Sequence, residues 1–183
     1  MPFKDSARVV ALRCAVLTTA VLACCSRPPA DWYSPPAQRP PLDPAAQWSM
    51  IVNTDDPAAD SHFVKDIEAS SGPSWRWTRE EPTMKILLPS IESVTLVVDF
   101  SLWEGTLRFT GPVDVAFSVN GRLLERRHYV SPGLKHFEKL VPAEWLSLQN
   151  DTTASARIDP IYTDKNTGTK YGFILTRIGF ARL

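Results

Sequence analysis

The sequence predicts an all-β protein, an antiparallel β-sandwich of about eight or nine short strands with at most short helical turns. Two observations lead to this fold class. Between residues 93 and 130, apolar and polar residues alternate with the period of two that is typical of a half-buried strand. Turn signals then recur at short, regular spacing, and no stretch of the chain shows the pattern of a long helix.

The region 93–130 contains the strands around which the rest is organised. Asn120-Gly121 favours a type I′ turn, in which both residues take positive φ angles. Residues 123–130 then return antiparallel to the strand before the turn. The residues expected to face the core are Val94, Leu96, Val98, Phe100 and Leu102 in the first strand, and Val113, Val115, Phe117 and Val119 in the second.

The remaining elements are shorter. We expect an edge strand at 48–52 and further strands at 61–67, 75–77, 84–88, 154–158 and 171–180. Pro82 and Pro89 are expected to limit the strand at 84–88, because proline has no N–H to donate to a ladder. Pro142 predicts one short helical turn after it.

The last strand is expected to be buried on both sides. Simple alternation places Phe173 and Leu175 on one face and Ile174, Ile178 and Phe180 on the other.

The amino terminus reads as a targeting signal. Lys4, Arg8 and Arg13 accompany an apolar run at 15–23 that is too short to span a bilayer but suits a signal peptide. The run ends in Val21-Leu22-Ala23-Cys24, which resembles the bacterial lipobox. The resemblance implies cleavage before Cys24 and acylation of this cysteine, with Cys25 as the alternative acceptor. An ordinary secretory signal is the other interpretation.

A proline-rich segment follows this signal. Seven prolines fall between residues 28 and 44, which favours an extended tether. We therefore divide the chain into a signal peptide (1–23), a lipidated cysteine and tether (24–47), and a β-sandwich domain (48–183). The expected location is the bacterial cell envelope, lipid-anchored in the outer membrane and facing the periplasm or the surface. Secretion is the alternative.

Composition excludes several classes of function. The three cysteines, Cys14, Cys24 and Cys25, all precede the predicted domain, so it has no disulfide, thiol catalysis or cysteine metal site. The 20 basic and 20 acidic residues balance, and a nucleic-acid partner usually requires a basic excess. We therefore expect no nucleic acid among the partners.

The sequence offers no recognisable catalytic or metal site. Neither a zinc-protease motif nor a nucleophile elbow accompanies the three histidines. His128 and His136 flank the turn at 131–133 and could approach each other across it, but two ligands make a poor zinc site. The loop with Asp55, Asp56 and Asp60 does not match an EF-hand and is interpreted as solvated. We expect no catalytic residue, metal or cofactor.

Aromatic residues give the only binding hypothesis. Six tryptophans are many for this length, and Trp75-Arg76-Trp77 would place two indoles on one side of a strand. Trp103 follows the end of another strand. An aromatic ring beside charged hydrogen-bonding groups is typical of a polar-ligand site, so Trp75, Arg76, Trp77 and Trp103 are the candidate ligand-binding residues. The alternative is that these tryptophans are core residues, as we expect for Trp145.

Several turn and core segments follow one another in a recognisable order: Val119–Leu123, Ser131-Pro132-Gly133, Phe137, Val141–Leu146 and Gly172–Leu175. Together they resemble the galactose-binding-like jelly rolls, which occur as accessory domains of some bacterial glycoside hydrolases and glycosyltransferases. The resemblance covers roughly residues 70–183. It implies a jelly-roll sandwich from a family of sugar binders, calcium-stabilised modules and domains without a known ligand, and it assigns no binding residue.

Three classes of function remain open. The leading hypothesis is a non-enzymatic, lipid-anchored envelope domain that binds a glycan or another envelope polymer. The second is a structural or assembly lipoprotein that binds an envelope protein through a sheet face or edge. The third is a hydrolase with an unrecognised site.

Overall fold

The structure is a computed structural model that describes residues 48–69 and 72–182. The signal peptide, the acylated cysteine and the tether, all within residues 1–47, lie outside the described residues. The described part contains eleven strands, one α-helix and two 3-10 turns. Their bounds are β1 (Trp48–Asn53), β2 (Phe63–Ile67), β3 (Arg76–Ile86), β4 (Val94–Leu102), α1 (Glu104–Thr110), β5 (Val113–Val119), β6 (Arg122–Tyr129), β7 (Gly133–Leu140), β8 (Thr152–Asp159), β9 (Tyr162–Thr163), β10 (Lys170–Tyr171) and β11 (Ile174–Arg182), with 3-10 turns at Ala59–Ser61 and Ala143–Trp145.

The strands form two antiparallel layers that share β3. One layer has the order β1-β11-β4-β7, and the other has the order β2-β3-β8-β5-β6. The start of β3 pairs with β11 at Arg76 and Trp77, and its end pairs with β8 from Thr83 to Ile86. Strands β9 and β10 form a separate small hairpin. The predicted fold class, an all-β antiparallel sandwich, is confirmed.

Aromatic side chains from both layers meet in the core. Phe117 of β5 stacks on Phe137 of β7 with ring centroids 3.6 Å apart and planes at 8°. Phe100 of β4 lies 4.8 Å from Phe173, and all four rings are fully buried. Each such side chain stabilises the fold by roughly 1.5–3 kcal/mol through burial. The core therefore lies between the layers, where the alternation pattern predicted it.

The central strands and their turn follow the prediction. Strand β6 pairs antiparallel with β5, and Asn120 and Gly121 have φ angles of 49° and 74°, as a type I′ turn requires. The Asn120 side chain fixes the turn, since its Nδ2 donates to the Trp145 carbonyl at 2.7 Å. Its Oδ1 accepts from the Thr153 N–H at 2.8 Å.

Proline did not limit β3 as predicted, because this strand runs through Pro82 to Ile86. Pairing with β8 begins at Thr83, and the register with β2 shifts on the same stretch, between Lys65 and Ile67. Pro82 thus occupies the point where β3 changes neighbours, and its missing N–H interrupts no regular ladder. A second difference is α1, whose seven residues exceed the short helical turns that were expected.

The predicted assignment of the β11 side chains to two opposite faces was wrong. A register shift against β4 between Leu175 and Arg177 marks a β-bulge. Because a bulge inserts one residue, it reverses the alternation beyond it. Leu175 before the bulge and Ile178 and Phe180 after it therefore join the same hydrophobic core cluster. In the part of the chain that the structure describes, none of the helices is long and apolar enough to cross a membrane.

Candidate functional site

Three strand ends meet at one end of the sandwich and position two tryptophans. Ile174, the first residue of β11, is paired with Trp77 of β3 on one side and with Ser101 of β4 on the other. Trp103 follows β4 directly and begins α1 as its N-cap residue. The Trp77 and Trp103 rings consequently meet edge to face, with centroids 6.1 Å apart and planes at 88°.

Six rings form a continuous group at this end, which we call the aromatic cluster: Trp75, Trp77, Trp103, Phe109, Tyr162 and Tyr171. Trp77 lies at its centre, with ring centroids 6.4 Å from Trp75 and 5.4 Å from Tyr171. Tyr162 connects Phe109 to Trp103, with its ring centroid 6.0 Å from that of Trp103 and 5.0 Å from that of Phe109. The contacts are edge to face around Trp77 and stacked between Phe109 and Tyr162, and both geometries orient the rings.

The aromatic cluster is distinct from the core because solvent reaches it. Trp103 is 42% exposed and Phe109 is 60% exposed, whereas the core phenylalanines have no exposed surface. The other four rings of the cluster are half-buried. Contiguous exposed apolar groups are a feature of binding surfaces.

Two glycines allow the indoles to lie against the backbone. A Cβ atom on Gly105 of α1 would lie 2.3 to 2.5 Å from three ring atoms of Trp103. A Cβ on Gly72 would approach the Trp75 ring equally closely, at 2.3 Å. The rings can occupy their observed positions only because both residues lack a side chain.

A groove of about 440 Å³ lies beside Trp77 and adds polar groups to the site. Two of its lining residues form an ion pair, in which Arg79 Nε donates to Glu68 Oε1 at 2.9 Å. Lys170 Nζ lies 3.0 Å from Glu80 Oε2, and its hydrogen bond lowers the pKa of the Glu80 carboxyl. The groups that line the groove are Glu68, Trp77, Thr78, Arg79, Thr169, Lys170 and Tyr171.

Arg76, one of the predicted ligand residues, lies away from the aromatic cluster. It is buried, its Nε donates to the Thr54 carbonyl at 3.1 Å, and its guanidinium forms an ion pair with Asp60. The guanidinium also lies 5.0 Å from the Phe63 ring centroid. Alternation along β3 explains this placement, because neighbours of Trp77 point to the opposite side. The structure therefore brings together Trp75, Trp77 and Trp103 without Arg76.

The histidines do not come together as the sequence suggested. His128 Nδ1 lies 2.8 Å from Asp114 in one layer, whereas His136 Nδ1 lies 2.5 Å from Asp99 in the other. The turn at 131–133 connects strands of different layers, so it does not close a hairpin between them. Among residues 48–69 and 72–182, no group of three or more histidine, cysteine, aspartate or glutamate side chains could hold a metal ion.

Sequence reasoning missed Phe109, Tyr162 and Tyr171. Tyr162 and Tyr171 are directly opposite each other in the β9–β10 hairpin, on either side of the turn at 165–168. Their symmetric positions around that turn were the available signal. Phe109 is brought in by α1, which the sequence analysis did not predict as a helix.

No protein-family model matches the chain. No curated protein matches it either. Among solved structures, the chain is similar to a family 35 carbohydrate binding module from Clostridium thermocellum, with 10% identity and a TM-score of 0.41 over 75% of this chain and 98% of that one.

A second similar structure is a family GH115 4-O-methyl-alpha-glucuronidase with specificity for decorated arabinogalactans. The identity is 11% and the TM-score 0.41, over 80% of this chain. The match spans 18% of that enzyme's length.

Proposed function

We propose that this protein is a non-enzymatic binding module that holds a glycan or another envelope polymer on its aromatic cluster. The observation that carries the proposal is the exposure of Trp103 and Phe109, which both contact Tyr162 and are joined through Trp103 to the half-buried Trp77. Sugar rings carry C–H groups on their faces that pack against the face of an indole or phenyl ring. An exposed platform held in place by other rings suits this contact.

The groove beside Trp77 supplies the polar half of such a site. Arg79, Lys170 and Glu68 offer hydrogen-bond donors and acceptors next to the aromatic rings of Trp77 and Tyr171. Hydroxyl groups of a sugar can exchange hydrogen bonds with these side chains. The rings then supply contact area, and the charged groups select the orientation.

Binding is favoured over catalysis because the groups that line the groove contain no nucleophile paired with a base. Arg79 and Lys170 each neutralise a carboxylate of Glu68 or Glu80. A carboxyl group that acts as a general acid needs a raised pKa, and the Glu80 pKa is shifted down. A turnover assay on ester and glycoside substrates tests the hydrolase alternative.

The proposal includes the cellular location that the first 47 residues predict. A diacylated Cys24 would anchor the chain in the outer membrane, and the proline-rich segment would carry the sandwich away from the lipid surface. A polymer-binding domain in this position would hold an envelope polysaccharide near the membrane.

A polysaccharide panel read by tryptophan fluorescence and melting temperature tests the function on residues 45–183. We expect a saturable change with one class of polymer. Phe109→Ala should weaken that change, whereas Leu148→Ala, at an exposed position outside the aromatic cluster, should not. Absence of any response across the panel would favour the assembly lipoprotein, and crosslinking in the intact envelope would then seek its protein partner.

A further inference from the structure

Strand β7 has an open edge. It pairs with β4 along its whole length, and no other described strand lies beside it. At the end of this ladder the Val141 N–H donates to the Val94 carbonyl at 2.7 Å. Because hydrogen-bonding direction alternates along an antiparallel strand, the N–H and C=O groups of Leu134, His136, Glu138 and Leu140 face the open edge.

The side chains of these four residues share one face of β7. Phe137, between them, points into the core, so its even-numbered neighbours point outward. Leu134 is 82% exposed and Leu140 is 62% exposed, which makes them two of the most exposed large apolar residues. An edge that combines free backbone groups with exposed leucines is a template for strand pairing.

The sequence of this strand is complementary to itself. Residues 134–140 read Leu-Lys-His-Phe-Glu-Lys-Leu, which is nearly symmetric about Phe137. If two copies pair antiparallel with Phe137 opposite Phe137, Leu134 faces Leu140 of the second copy and His136 faces Glu138 of the second copy. Unlike charges and apolar side chains in directly opposite positions stabilise a sheet.

We propose that β7 pairs with β7 of a second copy across a twofold axis at Phe137. The β1-β11-β4-β7 layers of the two copies then form one continuous sheet through the dimer. In this register Leu134 pairs with Leu140 and His136 pairs with Glu138. The backbone groups of these four residues point to the open edge, so each of their N–H groups meets a C=O of the second copy. The contact uses the same patch on both copies and closes on itself, which limits assembly to a dimer.

The charges on β7 select this register. A slip of two residues in one direction places Glu138 opposite Glu138, and a slip in the other direction places His136 opposite His136. Both slips also separate Leu134 from Leu140. Only the register centred on Phe137 combines opposite charges with a leucine pair.

The side chains on the opposite face of β7 are compatible with the register centred on Phe137. There Lys135 faces Lys139 of the second copy, but each amino group already has partners within its own chain. Lys139 Nζ lies 2.5 Å from Glu125 Oε2, and Lys135 Nζ donates to the Pro132 carbonyl at 3.1 Å. Lysines on an edge disfavour indiscriminate pairing, so they restrict the edge to its complementary partner.

Paired substitutions at Leu134 and Leu140 test the proposal in the full chain. Sedimentation measures the fraction of dimer, in mild detergent because residues 15–23 are apolar. Leu134→Lys with Leu140→Lys places like charges opposite each other and should weaken the dimer about tenfold or more. Leu134→Lys with Leu140→Glu places opposite charges together and should restore it. Leu123→Lys with Leu148→Lys adds the same charge at exposed positions elsewhere and should leave the dimer intact.

Three results would overturn the proposal: a wild-type chain that stays monomeric, a double-lysine variant that dimerises like the wild type, or a lysine–glutamate variant that fails to recover. Amide hydrogen exchange gives a second test in the wild type. Dimerisation should protect the amides of His136 and Glu138, while those of Lys135 and Lys139, already bonded to β4, change little. Unchanged exchange at His136 and Glu138 in the dimer would place the interface elsewhere.

Discussion

Trp77 and Trp103 meet edge to face at 6.1 Å, although one lies in β3 and the other follows β4. The two strands are not neighbours, and β11 lies between their ends through Ile174. The contact therefore depends on the assembled sheet rather than on any local motif. This relationship joins two rings of the aromatic cluster at the exposed end of the sandwich.

A substitution at Gly105 tests whether the position of the Trp103 ring matters for polymer binding. Gly105→Ala should raise the helix propensity of α1, yet its Cβ would displace the Trp103 ring. We expect polymer binding to weaken about tenfold with little change in melting temperature. Glu104→Ala, an exposed change in the same helix, should leave binding unaltered. Full binding by Gly105→Ala would mean that the ring position is unimportant.

The stacked pair Phe117 and Phe137 connects the two layers. Phe117→Ala removes a fully buried ring and should lower the free energy of unfolding by about 3–5 kcal/mol, because a cavity remains between the sheets. Urea unfolding measures the loss, and Phe117→Leu should lose less. Leu148→Ala is the exposed control. A loss below about 1 kcal/mol in Phe117→Ala would contradict the described core.

His136 should titrate above its ordinary value. Its hydrogen bond with Asp99, and a weaker one with Glu138, raise the pKa of the imidazole. Because the folded-state pKa exceeds the unfolded one, this contribution to stability is fully present below the unfolded pKa and is lost as pH rises through the folded pKa. An NMR titration of His136 should show a lower pKa in Asp99→Asn, and an unchanged pKa there would refute the pairing.

The lipid anchor can be tested independently of the fold. Cys24→Ala removes the expected acylation site, so the chain should leave the membrane fraction and appear in the soluble fraction. Cys25→Ala serves as the matched variant and should stay membrane-bound if Cys24 is the acceptor. Membrane retention of both single variants would contradict the lipoprotein hypothesis.

The sequence predicted the parts of the fold that local pattern determines. Alternation placed Val94 to Leu102 and Val113 to Val119 correctly, and Asn120-Gly121 gave the turn between β5 and β6. It could not show that Pro82 lies where β3 changes neighbours. It also missed the bulge after Leu175, because a bulge becomes visible only against the partner strand.

The candidate site was predicted only in part, because a local sequence pattern does not show contacts between distant segments. Trp75, Trp77 and Trp103 stood out by residue type, and the structure brings them together. Arg76 also stood out, but its partners Thr54 and Asp60 belong to a preceding loop that no pattern in β3 indicates. Side-chain partners from distant segments are set by the tertiary fold and are hidden in a single sequence.

A binding titration of wild type against Trp103→Ala tests the central claim most directly, with the polymer that responds in the panel as ligand. Trp103 is exposed, so its removal should leave the fold intact while removing a stacking face. We predict that Trp103→Ala lowers the affinity by about tenfold or more, and a tenfold loss corresponds to about 1.4 kcal/mol of binding free energy. Equal affinity in a folded Trp103→Ala variant would contradict binding at the aromatic cluster.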